Sequence, residues 1–265
     1  MIEIARRQLG RNRIFLAVVA LALAAFEVLL CAVVASVDVE KAFGQMLQFA
    51  PPVLRAIVEQ NLMGGSAAGV IAFGWNHPVA HALLAAVAIA LAARAIAGEV
   101  ENGVIEVVLA QPISRAQYFA AHVLFGVAAL AVVLAAGVVG TALGQAIFSL
   151  QPFGGGRLAA LFVNALLLQL AIYALTLLVS AYGREAGRVA LAGVLIAVLS
   201  YSVNTIATLW SKAEFLRPYS LHHYFDPRAV LVDGELSAMA VAVLAGIAAI
   251  AIGVAYAAFT RRDLP

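Results

Sequence analysis

Long apolar segments alternate with short polar ones along the whole chain, and this pattern predicts its secondary structure. Each segment has about the 20 residues that an α-helix needs to cross the hydrocarbon core of a bilayer. We therefore predict an all-α membrane protein with six transmembrane helices. The apolar runs fall at about residues 14–36, 77–97, 118–149, 158–182, 189–210 and 237–259.

The composition agrees with this pattern and leaves no length for a separate soluble domain. Of the 265 residues, 65% are hydrophobic and 11% are charged, and the mean hydropathy is +1.02. Soluble domains carry roughly 25% charged residues. We expect one transmembrane domain over residues 1–265. The net charge of +2 is small and its charges are scattered, which argues against nucleic acid as a partner.

The positions of the basic residues predict which side of the membrane each loop faces. Lys and Arg resist translocation, so the side richer in them is cytoplasmic. Of the 16 Lys and Arg residues, ten fall on the side that holds both termini and six on the opposite side. We therefore expect cytoplasmic termini and two long external loops, at 37–76 and 211–236. Within the first loop, residues 51–60 have the spacing of a short helix on the outer interface.

The most informative internal loop covers residues 98–113. Its acids Glu99 and Glu101 are expected to lie against the positive N-terminal end of the helix that follows. An apolar stretch too short to span a bilayer comes next, Pro112 ends it, and Ser114 stands where the third membrane helix needs an N-cap. The residues alone fit either an interfacial helix between two spans or a docking helix for a cytoplasmic partner.

The chain lacks the sequence that a nucleotide-hydrolysing P-loop needs. That loop requires Gly-Lys followed by Ser or Thr, because the lysine reaches the phosphates. The only lysines are Lys41 and Lys212, and neither follows a glycine. We therefore expect ATP-driven work to belong to another polypeptide, and this chain to be no enzyme and to hold no cofactor of its own.

The central loop resembles that of a known family of transport proteins. Its pattern Gly-Glu-x-Glu-x-Gly, then Glu106, then Leu-x-x-Pro-Ile-Ser-Arg is similar to the cytoplasmic loop between the second and third helices of type-2 permeases of ATP-binding-cassette exporters. Residues 1–13 look like the amphipathic cytoplasmic helix that begins these permeases, and the segments at 224–227 and 259–264 resemble theirs as well. The resemblance covers essentially the whole chain and favours the docking interpretation.

The resemblance implies a transporter built from several subunits. Two permease copies, identical or different, would form the translocation pathway in a bacterial cytoplasmic (inner) membrane. Separate ATPase subunits, which bind ATP and Mg, would drive export through a short coupling helix in the central loop. The residues that it assigns to this coupling are Gly98, Glu99, Glu101, Gly103, Glu106, Pro112, Ser114 and Arg115.

Polar side chains inside the apolar runs are candidates for the translocation pathway. Glu27 lies near the middle of the first run, where an ionised carboxylate costs ~2.5 kcal/mol or more. It either contacts substrate or protons, or it bonds between helices. A proton-coupled carrier or an intramembrane enzyme built on Glu27 is the alternative to an ATPase-driven permease. The other pathway candidates are Asn164, Gln169 and Asn204, although such residues more often join helices.

Four histidines are expected on the external side, and two of them have the spacing of a metal site. His77 and His81 stand four residues apart, which places both imidazoles on one helix face. His222 and His223 lie in the second external loop. Because no close cysteine or paired acid completes a ligand shell, we interpret all four as interfacial or core residues and expect no metal.

Overall fold

The computed structural model describes residues 2–37, 66–105 and 113–262, together with the single positions 41, 48 and 51. All regular structure in this part of the chain is helical. Most of the interfacial helix predicted at 51–60, and the coupling residues Glu106 and Pro112, lie outside the described residues. The α-helices are α1 (Ile2–Ser36), α2 (Ala67–Trp75), α3 (Pro78–Ala95), α4 (Ala97–Glu101), α5 (Arg115–Ile147), α6 (Gly155–Tyr182), α7 (Ala186–Leu209) and α8 (Ala238–Arg261).

Six helical segments are long and apolar enough to cross a membrane, which confirms the predicted fold class. The second of them consists of α2 and α3 together, and α4 is too short to count. One end of the bundle holds the start of α1, the end of α8, α4 and the α6–α7 turn, and we call it the terminal face. The α5–α6 turn, α2 and residues 210–237 gather at the opposite end, which we call the loop face.

The first span and the predicted amphipathic helix form one helix. The sequence predicts a distinct helix over residues 1–13, whereas α1 continues without interruption, since no proline breaks the helical hydrogen bonds between the two parts. Its 35 residues rise about 52 Å, well beyond the ~30 Å of a hydrocarbon core. The first turns of α1 therefore project past the apolar layer at the terminal face.

The second span is broken near the loop face. Pro78 cannot donate a backbone N–H, so the helical hydrogen bonds start again there, and His77 caps the new helix by accepting from the Val79 N–H at 3.2 Å. The structure corrects the predicted external loop at 37–76, because residues 67–75 are helical and Trp75 is fully buried. Nine apolar residues before a proline are too few to suggest part of a span on their own.

Close backbone contact joins α1 to α5, the most extensively packed helix pair in the described chain. A Cβ added at Gly140 would lie 2.6 Å from the Ala24 carbonyl oxygen, and one at Gly144 would lie 2.8 Å from the Cys31 sulfur. Only glycine fits at such distances. This close approach fixes the lateral position of α1 on the bundle.

The start of α5 confirms the capping prediction. The Ser114 hydroxyl accepts from the Gln117 N–H and the Gln117 side chain accepts from the Ser114 N–H, both at 3.1 Å. This reciprocal pair satisfies two N–H groups that a helix start otherwise leaves unbonded. Ser114 therefore sets where the third span begins.

The second predicted external loop, 211–236, is structured and packs onto the helix ends. It contains two 3₁₀ helices, Ser211–Tyr219 and Leu221–Tyr224, and one π-helical turn, Ala229–Asp233. The Arg157 guanidinium of α6 donates to the Leu231 carbonyl at 3.0 Å. Short helices of this kind follow from a sequence that mixes aromatic, charged and proline residues without a long apolar period.

Candidate functional site

Residues 97–105, which we call the central segment, are fastened to the bundle at their start. The Ser180 hydroxyl of α6 accepts from the Ala97 N–H at 3.0 Å, and the Tyr118 hydroxyl of α5 donates to the Ala95 carbonyl at 3.1 Å. α4 supplies the first turn of the segment. Gly103 then adopts a φ of +64°, which glycine tolerates because it has no Cβ.

Glu99 is the buried centre of the central segment. Its residue surface is 1% exposed, and its two carboxylate oxygens accept from Arg7 at 3.0 Å and Arg11 at 2.6 Å. Both arginines belong to the first turns of α1 and are partly exposed, at 45% and 34%. We call these three residues the Glu99 cluster. Glu99 was expected to face the start of a following helix, and the structure instead places it against α1.

A layer of buried amides supports the Glu99 cluster from the membrane side. The Arg11 guanidinium donates to Gln8 Oε1 at 3.4 Å, and the Asn12 side chain donates to the Gln8 carbonyl at 2.8 Å. Arg94, at the end of α3, donates to Asn12 Oδ1 at 3.3 Å. Gln8 also lies 3.5 Å from the buried ring of His122. Sequence reasoning did not assign these residues to the site, although polar residues beside a long apolar run are a usable signal.

Glu101 connects the central segment to α7. Its Oε2 accepts from the Ala186 N–H at 2.8 Å, at the first residue of that helix. A carboxylate is favourable there because the N-terminal end of a helix carries partial positive charge. Gly98 lies beside the same turn, since a Cβ at Gly98 would be 3.5 Å from the Ala186 Cβ. Glu101 was predicted to lie at the start of the helix that follows it in the central loop, and the structure places it at the start of α7.

Arg115 was predicted to act in coupling, and the structure shows it holding the end of α8. Its guanidinium donates to the carbonyls of Phe259 at 3.4 Å, Thr260 at 3.1 Å and Arg262 at 2.6 Å. Cationic donors suit a helix C-terminus, where carbonyls lack partners within the helix. Arg115 therefore joins the third and sixth spans at the terminal face.

The exposed part of the central segment is its tip, formed by Glu101, Asn102 and Gly103. The Asn102 side chain donates to the Gly98 carbonyl at 2.6 Å and closes the turn. Of the predicted coupling residues in the central segment, Glu101 and Gly103 are exposed, whereas Gly98 and Glu99 are buried. The tip is accessible to a partner protein, whereas Glu99 is buried and contacts only neighbouring residues of the bundle.

Glu27 lies between three helices, with none of its residue surface exposed. The Thr141 hydroxyl of α5 donates to Glu27 Oε2 at 3.1 Å, and the Trp75 indole N–H of α2 donates to the Thr141 oxygen at 3.1 Å. The second carboxyl oxygen, Oε1, has no hydrogen-bond partner. The geometry is that of a polar contact joining α1, α2 and α5.

The other predicted pathway residues have different surroundings. Asn164 fastens the loop face, since its amide donates to the Tyr224 carbonyl at 2.9 Å and accepts from the Asp226 N–H at 3.3 Å. Gln169 is buried in α6, and its Oε1 has no partner. Asn204, near the end of α7, lines a cavity at the loop face. The structure does not bring these residues and Glu27 together.

The histidines form contacts typical of packing. The rings of His81 and His222 meet edge to face with centroids 4.7 Å apart, and His222 Nδ1 lies 2.8 Å from the Ser200 hydroxyl. Burial lowers the pKa of His222 to about 4, so the ring is neutral at physiological pH. His77 caps α3, and His223 packs on Tyr224. Within the described residues, no group of three His, Cys, Asp or Glu side chains could hold a metal ion.

Two cavities open beside α7. A groove of about 390 Å³ between α3 and α7 is lined almost entirely by apolar side chains, many of them alanines such as Ala86 and Ala190. A polar cavity of about 140 Å³ lies at the loop face, between the start of the second span, the end of α7 and the loop after it. His222 contributes to the lining of both cavities.

The chain belongs to the ABC-2 family transporter proteins, whose family model matches residues 5–264. It is therefore a multi-pass membrane protein and the permease component of an ATP-binding-cassette transporter. A comparison with curated proteins found no match. The family assignment confirms the resemblance seen in the central loop, and it covers every residue of the Glu99 cluster.

Proposed function

We propose that this chain is the membrane subunit of an ATP-binding-cassette exporter, and that a separate ATPase subunit binds its terminal face. The terminal face is then cytoplasmic, in agreement with the excess of arginines on that side. Membership of the ABC-2 family supports the assignment. So does the sequence, which has no Gly-Lys pair from which a P-loop could be built.

The Glu99 cluster is the observation that carries the proposal. A carboxylate that is 1% exposed and bonded to two guanidinium groups is costly to separate, because separation leaves a buried charge without a partner. Movement of the central segment therefore takes the first turns of α1 with it. An ATPase that pushes on the exposed tip would in this way move the first span.

Two further bonds extend the movement to other spans. Glu101 accepts from the first N–H of α7, and Ala97 donates to the Ser180 hydroxyl of α6. The central segment thus contacts the first, fourth and fifth spans, while its own chain continues into α3 and α5. This arrangement suits a lever that converts one local push into a rearrangement of the bundle.

Transport also requires a pathway, which we place between two copies of the permease, identical or different. α7 supports this placement, because only 17% of its most apolar 18-residue stretch is buried within one chain. The groove between α3 and α7 shares His222 with the cavity that Asn204 lines. Of the predicted pathway residues, Asn204 and Asn164 each line a cavity at the loop face, whereas Glu27 and Gln169 are enclosed.

A proton carrier or an intramembrane enzyme based on Glu27 has less support. Proton transfer or catalysis at membrane depth needs a second titratable or nucleophilic group within hydrogen-bond reach. Within the described chain, Glu27 accepts a hydrogen bond from the Thr141 hydroxyl, and the oxygen of that hydroxyl accepts from the Trp75 indole N–H. This contact suits helix packing and leaves the transport subunit as the preferred function.

The test co-expresses the chain with the ATP-binding-cassette ATPase encoded nearest to it in the genome. Asn102→Trp places a bulky side chain on the exposed tip, and we expect it to prevent co-purification of the ATPase. Glu99→Gln should leave co-purification intact but abolish the effect of the permease on ATP hydrolysis. Leu9→Trp is the matched control, because Leu9 is exposed on the same face without belonging to the tip. Normal ATPase binding and hydrolysis in both test variants would contradict the proposal.

A further inference from the structure

The polar cavity at the loop face is lined by charged groups that no step of ATPase coupling uses. Arg217 and Arg228 come from the loop after α7, and Asp226 lies between them in sequence. Arg217 brings one positive charge to the lining, and its Nε is buried there without a hydrogen-bond partner. The Asp226 side chain already accepts from the Ala229 N–H at 3.0 Å. The lining therefore favours a ligand with one negative charge.

The histidines in the lining do not add positive charge near neutral pH. Burial lowers the pKa of His222 to about 4, and burial together with the neighbouring Arg217 lowers the pKa of His223. Their rings provide neutral walls to the cavity. Arg217 is therefore the group that attracts an anion.

Two buried polar atoms at the cavity have no hydrogen-bond partner in the structure. They are Nε of Arg217 and Oδ1 of Asn204. Leaving a buried donor unbonded costs about 1–3 kcal/mol. An oxyanion would accept from the Arg217 N–H groups, and rotation of the terminal Asn204 amide would present its NH₂ group to the same ligand.

The size of the cavity limits what enters it. Its volume is about 140 Å³, close to the ~150 Å³ cavity that holds one benzene molecule. A group of about six heavy atoms fits, and a whole phospholipid does not. From this size and the unbonded Arg217, we propose that the cavity binds a singly charged oxyanion group, for which a phosphodiester is the size-matched example.

The same chemistry reaches the cavity from two sources. A small soluble phosphodiester could enter from the aqueous side of the loop face. A lipid headgroup could enter with its acyl chain in the neighbouring apolar groove, which shares His222 with the cavity. From Pro78 to Ala90 the groove follows α3 over about 18 Å, roughly half the thickness of a bilayer. The site depends on the cavity alone and requires no ATPase.

The experiment measures ³¹P NMR line broadening with the permease purified in an uncharged maltoside detergent. One arm titrates dimethyl phosphate, a free monoanionic diester, and the other titrates a short-chain phosphatidylglycerol. We expect saturable binding in at least one arm. Binding in both arms assigns the site to the oxyanion group itself, and binding of the lipid alone assigns it to a headgroup. Absence of saturable binding in both arms overturns the proposal.

Substitutions identify the cavity as the place of binding. Arg217→Gln should weaken binding at least about tenfold, which corresponds to the loss of one charge-assisted hydrogen bond. Asn204→Leu should also weaken it, and Arg217→Lys should retain most of it. Lys212→Gln is the matched control, since it removes the same charge from an exposed position of the same loop. Equal weakening by Lys212→Gln, or no weakening by Arg217→Gln and Asn204→Leu, would overturn the proposal.

Discussion

Two glutamates, Glu27 and Glu99, are buried to almost the same extent but have different partners. Glu27 is fully enclosed and accepts from one hydroxyl, that of Thr141. Glu99 is 1% exposed and bonds two guanidinium groups at the terminal face. The degree to which a carboxyl is buried therefore says little about its role. The charge and mobility of the elements that it joins are more informative.

The two sites also differ in what surrounds them. Around Glu27 the helices touch through glycines, and the packing leaves no space for relative movement. Around Glu99 the contacts are long polar side chains, two of which reach solvent. Dense packing suits a fixed part of the bundle, whereas an ionic contact between two elements suits a moving part. Substitutions at the two sites should therefore differ in their effect on ATPase coupling.

Glu99→Gln should cause the largest loss. The amide cannot form ion pairs with Arg7 and Arg11, and loss of a charged hydrogen bond at a buried site costs about 1.5–3 kcal/mol. We expect the α1 start to separate from the central segment and the ATPase of the assembled complex to lose its dependence on the permease. Thermal unfolding and ATP hydrolysis are the measurements.

Glu185→Gln is the control for that substitution. Glu185 lies on the same face and pairs with Arg188 at 2.9 Å, but both side chains are mostly exposed. Exposed pairs contribute little, so this variant should behave as the parent does. If the two substitutions had equal effects, the Glu99 cluster would have no special part in coupling.

Gly140→Ala should produce the next largest effect, on assembly of the helices. The added Cβ would lie 2.6 Å from the Ala24 carbonyl oxygen, so α1 must move away from α5. Overpacking of this kind costs about 1–3 kcal/mol. Gly246→Ala, at a helical position with no neighbour within 4 Å, should leave the unfolding temperature unchanged or raise it. An unfolding temperature for Gly140→Ala as high as that of Gly246→Ala would contradict the tight contact.

Glu27→Gln should change little, since its amide oxygen can accept from the Thr141 hydroxyl as the carboxyl does. Glu27→Leu should be worse, because it leaves that hydroxyl bonded only within α5 and to Trp75. We expect the first variant to lose less than about 1 kcal/mol and to retain ATPase activity in the complex. Loss of activity in Glu27→Gln with normal folding would restore Glu27 as a pathway or proton residue.

We expect the smallest effect from His222, which should make the free energy of unfolding depend on pH. Its pKa falls from 6.5 to about 4 on burial, so between these values the unfolded chain binds more protons than the folded one. Stability should therefore decrease as the pH is lowered from 6.5 towards 4. His222→Gln keeps a hydrogen-bonding group near Ser200 and should show a smaller decrease. An identical pH profile for parent and variant would exclude this contribution.

Much of the fold could be predicted from the sequence because membrane spans are local features. Each needs about 20 apolar residues, and five of the six spans appear as uninterrupted runs. The cap at Ser114 is equally local, since it depends on Gln117 three residues later. The break in the second span was missed because α2 has only nine residues and Pro78 conceals its continuity with α3.

The site was less predictable because its contacts join distant parts of the chain. Glu99 was selected correctly from its motif, but its partners precede it by 88 and 92 residues. Arg115 belongs to the same motif, but its guanidinium donates to a carbonyl at the end of α8, near residue 260. A local pattern identifies which residues matter, whereas only the packed helices determine which of them meet.

We propose that the start of α1 and the central segment move together because Glu99 joins them. The most direct test attaches one spin label at Leu9→Cys, which is exposed, and one at Val104→Cys, which is half-buried and outside the tip, in a Cys31→Ala background. Their separation is measured by pulsed electron spin resonance. With the ATPase bound, the separation should stay the same on adding a non-hydrolysable ATP analogue, and it should broaden in Glu99→Gln. A separation that changes with nucleotide in the labelled parent, or that is unaffected by Glu99→Gln, would contradict the claim.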